Sequence, residues 1–125
     1  RQMCIRDRKM SKSLGNLVFV HKLTEQGHSA AAIRLAVFAG HYRADRDFTY
    51  RGLEAAEQRL TRWRDRLSNE VSEAEALANI NELRAALADD LDTPRALRLI
   101  DLARGDHDGL FADAIDGLLG VRVFA

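Results

Sequence analysis

Residues 49–67 read Thr49-Tyr50-Arg51-Gly52-Leu53-Glu54-Ala55-Ala56-Glu57-Gln58-Arg59-Leu60-Thr61-Arg62-Trp63-Arg64-Asp65-Arg66-Leu67. Leu53, Ala56, Leu60, Trp63 and Leu67 recur at spacings of three and four, which places them on one face of an α-helix. Thr49 stands where an N-cap would, its hydroxyl able to accept from a free N–H of the first turn. Trp63 belongs to the apolar stripe and reads as core. Arg59, Arg62 and Arg66 fall on another face. Such a face can bind nucleic acid but more commonly faces solvent.

The helical period continues on both sides. Downstream, Ser72 and Glu75 make a capping-box pattern, followed by the stripe Ala76, Ile80, Leu83 and Leu87. Asp92-Thr93-Pro94 then marks a helix start, with Thr93 as cap and Pro94 in the first turn, where its missing N–H costs nothing. That helix ends near Gly105. A last helix spans 108–119, with Leu110, Phe111, Ala114, Ile115, Leu118 and Leu119 inward and Gly120 as its stop. Upstream, Ser29 caps a helix to about Gly40 that is apolar nearly all round except at Arg34, which predicts burial at the centre of its domain. A short helix over 20–26 precedes it, ending at Gly27. No stretch shows the sustained alternation of a half-buried strand; Leu17-Val18-Phe19-Val20 is at most a brief extended run. The fold class is therefore all-α, a helical bundle.

The bulk composition agrees. The 125 residues suffice for one core, and 46% hydrophobic with 30% charged residues is an ordinary globular balance. No run approaches the roughly 18 apolar residues that cross a bilayer, so no membrane association is expected. The lone Cys4 cannot form an internal disulfide or, alone, a zinc site. A reducing, cytoplasmic location fits it. His21, His28, His41 and His107 show no ligand spacing, and no metal site is expected in this chain. His41-Tyr42-Arg43 reads as a structural turn before it reads as a catalytic cluster. Asp89, Asp90 and Asp92 read as a helix end and cap rather than a carboxylate dyad. The formal net charge is zero, yet Lys and Arg gather at residues 1, 6, 8, 9, 12 and 22 against Asp7 alone. Such a basic end suits a phosphate-handling segment.

That end contains Lys9-Met10-Ser11-Lys12-Ser13-Leu14-Gly15-Asn16. Two ammonium groups three residues apart can reach one anion from a flexible loop, each a mobile point charge. Ser11 and Ser13 add donors without bulk, Gly15 permits a tight turn, and Asn16 can hold it by a local hydrogen bond. The plain alternative is a basic surface loop without chemistry.

The whole pentapeptide, with the Leu-Gly-Asn after it, resembles the KMSKS signature of the class I aminoacyl-tRNA synthetases. Further segments narrow the resemblance. Ala32-Ile33-Arg34-Leu35 with Gly40-His41-Tyr42-Arg43, and Ala88-Asp89-Asp90-Leu91-Asp92-Thr93-Pro94-Arg95-Ala96-Leu97, are similar to the cysteinyl-tRNA synthetases. Asn16-Leu17-Val18-Phe19-Val20 and the ending Leu118-Leu119-Gly120-Val121-Arg122-Val123 look more like the cysteine ligases of the mycothiol pathway, which lack an anticodon-binding region. The resemblance covers about residues 9–123.

The resemblance implies the C-terminal part of a Rossmann-type class I enzyme: a KMSKS loop over 9–19 at the edge of a catalytic domain, then a helical bundle over 20–125. It implies ATP with magnesium as substrate, cysteine activated as cysteinyl adenylate, and transfer to the amine of glucosaminyl-inositol by a monomeric enzyme without tRNA. The alternative is a cysteinyl-tRNA synthetase truncated before its anticodon domain. Lys12 and Lys9 are the implied catalytic residues, with Lys9, Met10, Ser11, Lys12 and Ser13 binding ATP. Zinc is implied for the parent enzyme, with ligands outside this chain, so the fragment alone is expected to be inactive. Ile5-Arg6-Asp7-Arg8 departs from the Gly-Glu or Asp-Gly-Glu that relatives carry there. Residues 1–8 are accordingly read as a non-native or disordered leader without strand pattern.

Overall fold

A stripe of five apolar residues on one eighteen-residue helix needs a partner surface, and neighbouring helices supply it. The computed structural model describes residues 3–5, 8–10, 27, 29–39 and 50–124. The expectations for the helix over 20–26, the run at 17–20, the Thr49 cap, His21, His28 and the turn at His41 lie outside the described residues. In chain order the described elements are β1 (Met3–Ile5), β2 (Arg8–Met10), α1 (Ala30–Phe38), α2 (Tyr50–Leu67), α3 (Glu73–Ala88), α4 (Thr93–Leu102) and α5 (Leu110–Leu119).

Leu53, Ala56, Leu60, Trp63 and Leu67 are all buried, none more than 5% exposed. Each large member contributes about 1.5–3 kcal/mol by leaving water. Helix α1 packs along α2, α4 crosses it, and α3 joins α4 and α5. One continuous core results, running from Leu35 through Trp63, Leu83 and Ile100 to Phe111 and the terminal Val121 and Val123.

The helix ends follow local chemistry. Ser29 accepts from the Ala32 amide at 3.1 Å and starts α1. Ser72 accepts from the Glu75 amide at 3.1 Å and starts α3. Only half of that capping box forms, because the Glu75 carboxylate pairs with Arg104 instead. Gly120 ends α5 in the left-handed conformation, φ 68°, which a side chain would strain.

Three expectations are corrected. First, Asp92 rather than Thr93 caps α4, accepting from the Arg95 amide at 3.1 Å. Thr93 is buried in the first turn, so the freer carboxylate one position earlier takes the amide. Second, α1 is not buried all round: Ala32, Ile33 and Leu35 are buried, whereas Val37 is 55% exposed. A run of alanines and branched residues does not declare which face its neighbour covers. Third, the segment read as a strandless leader carries an antiparallel pair, with Met3 opposite Met10, Cys4 opposite Lys9 and Ile5 opposite Arg8. Strands of three residues are too short to display alternation, and their pairing is a matter of backbone hydrogen bonds.

Two loops meet at the far end of the bundle. Asp106 donates its amide to the Asn69 carbonyl at 2.9 Å and accepts from the Val71 amide at 3.0 Å. This brings Gly105 so close to the Asn69 carbonyl that a Cβ there would collide with backbone.

Candidate functional site

The first two residues of the Lys9–Ser13 motif lie in β2. Lys9 and Met10 have their backbones held in the ladder with Cys4 and Met3, which fixes where the motif departs. Ser11, Lys12 and Ser13 lie outside the described residues. The chemistry expected of them therefore rests on residue type and spacing.

The helices beyond the loop are tied together by polar contacts that the apolar pattern does not reveal. The Asp101 carboxylate on α4 accepts from Arg59 Nε at 2.9 Å and Nη2 at 2.6 Å, and from Trp63 Nε1 at 2.7 Å. This is a bidentate, charge-assisted fork with a third donor added. Partial burial pushes the Asp101 carboxyl up, but the hydrogen bonds from Arg59 and Trp63, with the charges of Arg59 and Arg62, outweigh it and hold the group below the ordinary carboxylate value. A depressed folded-state pKa adds stability above the unfolded carboxylate pKa and loses it as pH falls through the folded value. Asp101→Asn is therefore expected to cost about 1–2 kcal/mol near neutrality. The gap to the parent should narrow toward acid pH in a thermal-unfolding series; a gap constant with pH would contradict the ion-pair account.

Other α2 arginines are also engaged. Arg64 donates to the Val123 carbonyl at 2.6 Å and Arg66 to the Ala103 carbonyl at 3.2 Å. Of the face read as solvated, Arg62 and Arg66 are exposed, Arg66 reaching the Ala103 carbonyl as well, while Arg59 is turned to Asp101. On α1, Arg34 reaches the Gly120 carbonyl at 3.2 Å and so links the helix that follows the loop segment to the end of α5. Among the described residues, no three His, Cys, Asp or Glu converge on a possible metal position. No helix among them is long and apolar enough to cross a membrane.

Comparison with known proteins fits this arrangement. Residues 2–58 match the family model of the tRNA synthetases class I (C) catalytic domain. An L-cysteine:1D-myo-inositol 2-amino-2-deoxy-alpha-D-glucopyranoside ligase 1 from Corynebacterium urealyticum is 67% identical over 115 residues, covering 92% of this chain and 28% of that protein. The chain is similar to one part of that protein, and its residues 2–58 to the class I synthetase catalytic domain. Proteins named as the same ligase in Rhodococcus erythropolis (48% identical, 92% of this chain, 30% of that protein) and Corynebacterium glutamicum (45%, 92% and 31%) extend the likeness. The chain thus spans under a third of the length of these curated relatives. The catalytic-domain match runs through β1, β2 and α1 and ends inside α2. The loop segment and the helix that Arg34 anchors to α5 therefore fall in one matched stretch.

Sequence reasoning did not single out Asp101 or Asp106. Asp101 carried no local signal, since its partners lie 42 and 38 residues away. Asp106 did carry one: an Asp-His-Asp-Gly turn directly before an apolar helix.

Proposed function

We propose that this chain works within an ATP-dependent ligase that activates cysteine and joins it to the amine of glucosaminyl-inositol. The observation that carries the reading is the 67% identity to a protein named for that cysteine–sugar ligation. Cysteine carboxylate oxygen would attack the α-phosphate of ATP, which enters as its magnesium complex. Cysteinyl adenylate forms and pyrophosphate leaves. The sugar amine then attacks the acyl carbon, the C–O bond to phosphate breaks, AMP departs and the amine loses a proton.

In that scheme Lys12 neutralises charge growing on the departing pyrophosphate, and Lys9 supports the same field. Met10, Ser11, Ser13 and the backbone shape the loop around the phosphates. The aid is electrostatic and strongest in the transition state. Closure of the loop on ATP would exclude water from the adenylate. The described residues of this chain offer no donor set for the zinc implied by the resemblance, and no step is assigned to it. The favoured enzyme is monomeric, cytoplasmic and independent of tRNA, and the 125 residues alone are inactive.

The family model is named for tRNA synthetases, which keeps cysteinyl-tRNA synthesis as the second reading. The test offers the full-length protein cysteine and ATP with either glucosaminyl-inositol or tRNA. Cysteinyl-sugar amide with no charged tRNA is the expected product; cysteinyl-tRNA without the amide would replace the first reading by the second.

A further inference from the structure

The junction of the α2–α3 and α4–α5 loops contains a histidine whose two ring edges both face acceptors. His107 Nδ1 lies 3.1 Å from the Val71 carbonyl and 3.1 Å from Glu70 Oε2, while Nε2 lies 3.6 Å from Asp108 Oδ2. A neutral imidazole carries one N–H and leaves a lone pair on the other nitrogen. Whichever tautomer it adopts, one edge then presents a lone pair to oxygen. Only the imidazolium serves both edges.

The surroundings make this contact consequential. Next in the chain, the Asp106 carboxylate accepts from the amides of His107 at 2.7 Å, Phe111 at 2.8 Å and Ala112 at 3.0 Å. It thereby satisfies the start of α5, whose own N-cap, Gly109, has no side chain to offer. Asp108 and Gly109 both hold left-handed backbone, φ 51° and 73°, a turn that needs outside restraint at Asp108. The carboxylates acting on the ring come from the α2–α3 loop (Glu70), the first turn of α3 (Glu73) and its own loop (Asp108), while Asp106 meets the His107 backbone amide. Arg104 of the same loop is occupied by Glu75, at 2.7 and 3.0 Å.

We propose that His107 is a proton-dependent latch that fastens the α4–α5 loop to the α2–α3 loop and so sets how firmly the first turn of α5 is held. The hydrogen bond to the Val71 carbonyl raises its pKa, partial desolvation lowers it, and the charges of Asp108, Glu70 and Glu73 raise it further, leaving it above the ordinary histidine value. With a raised folded-state pKa, the latch is fully closed below the unfolded histidine pKa and is lost as pH rises through the folded one.

Amide exchange at Phe111 and Ala112, corrected for intrinsic rate, tests this in the 125-residue chain from about pH 5.5 to about pH 9. Protection is expected to fall about three-fold or more as His107 titrates. In His107→Gln the fall should vanish. An equal fall in that variant, or protection indifferent to pH in the parent, overturns the latch. Glu70 and Asp108 side chains are 73% and 84% exposed, so Glu70→Gln with Asp108→Asn should leave the fold intact. The ring titration followed by NMR must move down in that variant, and an unmoved titration also overturns the proposal.

Discussion

Lys12→Ala in the full-length protein is expected to slow adenylate formation by about 10²–10³-fold, the usual loss when one fixed donor to a developing oxyanion is removed. Cysteine affinity should change little, because in the proposed scheme the ammonium would act where pyrophosphate leaves and the amino acid would bind elsewhere. The physical reason is differential binding. A lysine so placed would gain most from charge that accumulates on the leaving group as the P–O bond breaks, and much less from ground-state ATP. Lys9→Ala, one position before the end of β2, should show a smaller loss of the same kind. Single-turnover adenylate formation with separately measured cysteine binding makes the distinction. An unchanged adenylation rate removes Lys12 from its role.

Asp106→Ala should be the most damaging polar substitution in the bundle, costing about 3 kcal/mol and lowering Tm by roughly 10 °C. The carboxylate is 4% exposed and accepts from three amides, two of them in the first turn of α5. Alanine leaves those donors facing a site where water enters poorly. The Asp106 backbone also bridges Asn69 and Val71, so a disturbed side chain loosens two loops together. Asp106→Asn keeps one acceptor oxygen and should lose less. Denaturant unfolding checks both variants, and a loss under about 0.5 kcal/mol for alanine would mean that solvent already serves those amides.

How much of this was readable in advance depends on the range of the interaction. The α2 stripe is legible because burial repeats along a single helix, and all five predicted positions are core. Ser29 and Ser72 are legible because a cap acts three residues away. Thr93 misleads because Asp92 and Thr93 are both good caps, and only the burial of Thr93 decides between them. Glu75 leaves its capping role for Arg104, 29 residues distant, and Asp101 gathers partners from another helix; no local pattern encodes such pairings. The strand pair at Met3–Ile5 and Arg8–Met10 escaped because short backbone pairing writes almost nothing into side-chain order. For the candidate site the balance reverses. A pentapeptide of matched residue types speaks more clearly than the fold around it, and Lys9 and Met10 are its only members among the described residues.

The central claim is that the Lys9–Ser13 loop serves ATP-driven activation of cysteine. Exchange of labelled pyrophosphate into ATP by the full-length protein reads that step alone. Exchange should require cysteine, proceed without any sugar amine, and collapse in Lys12→Ala. Exchange that ignores cysteine, or that is absent with every amino acid supplied, would contradict the account.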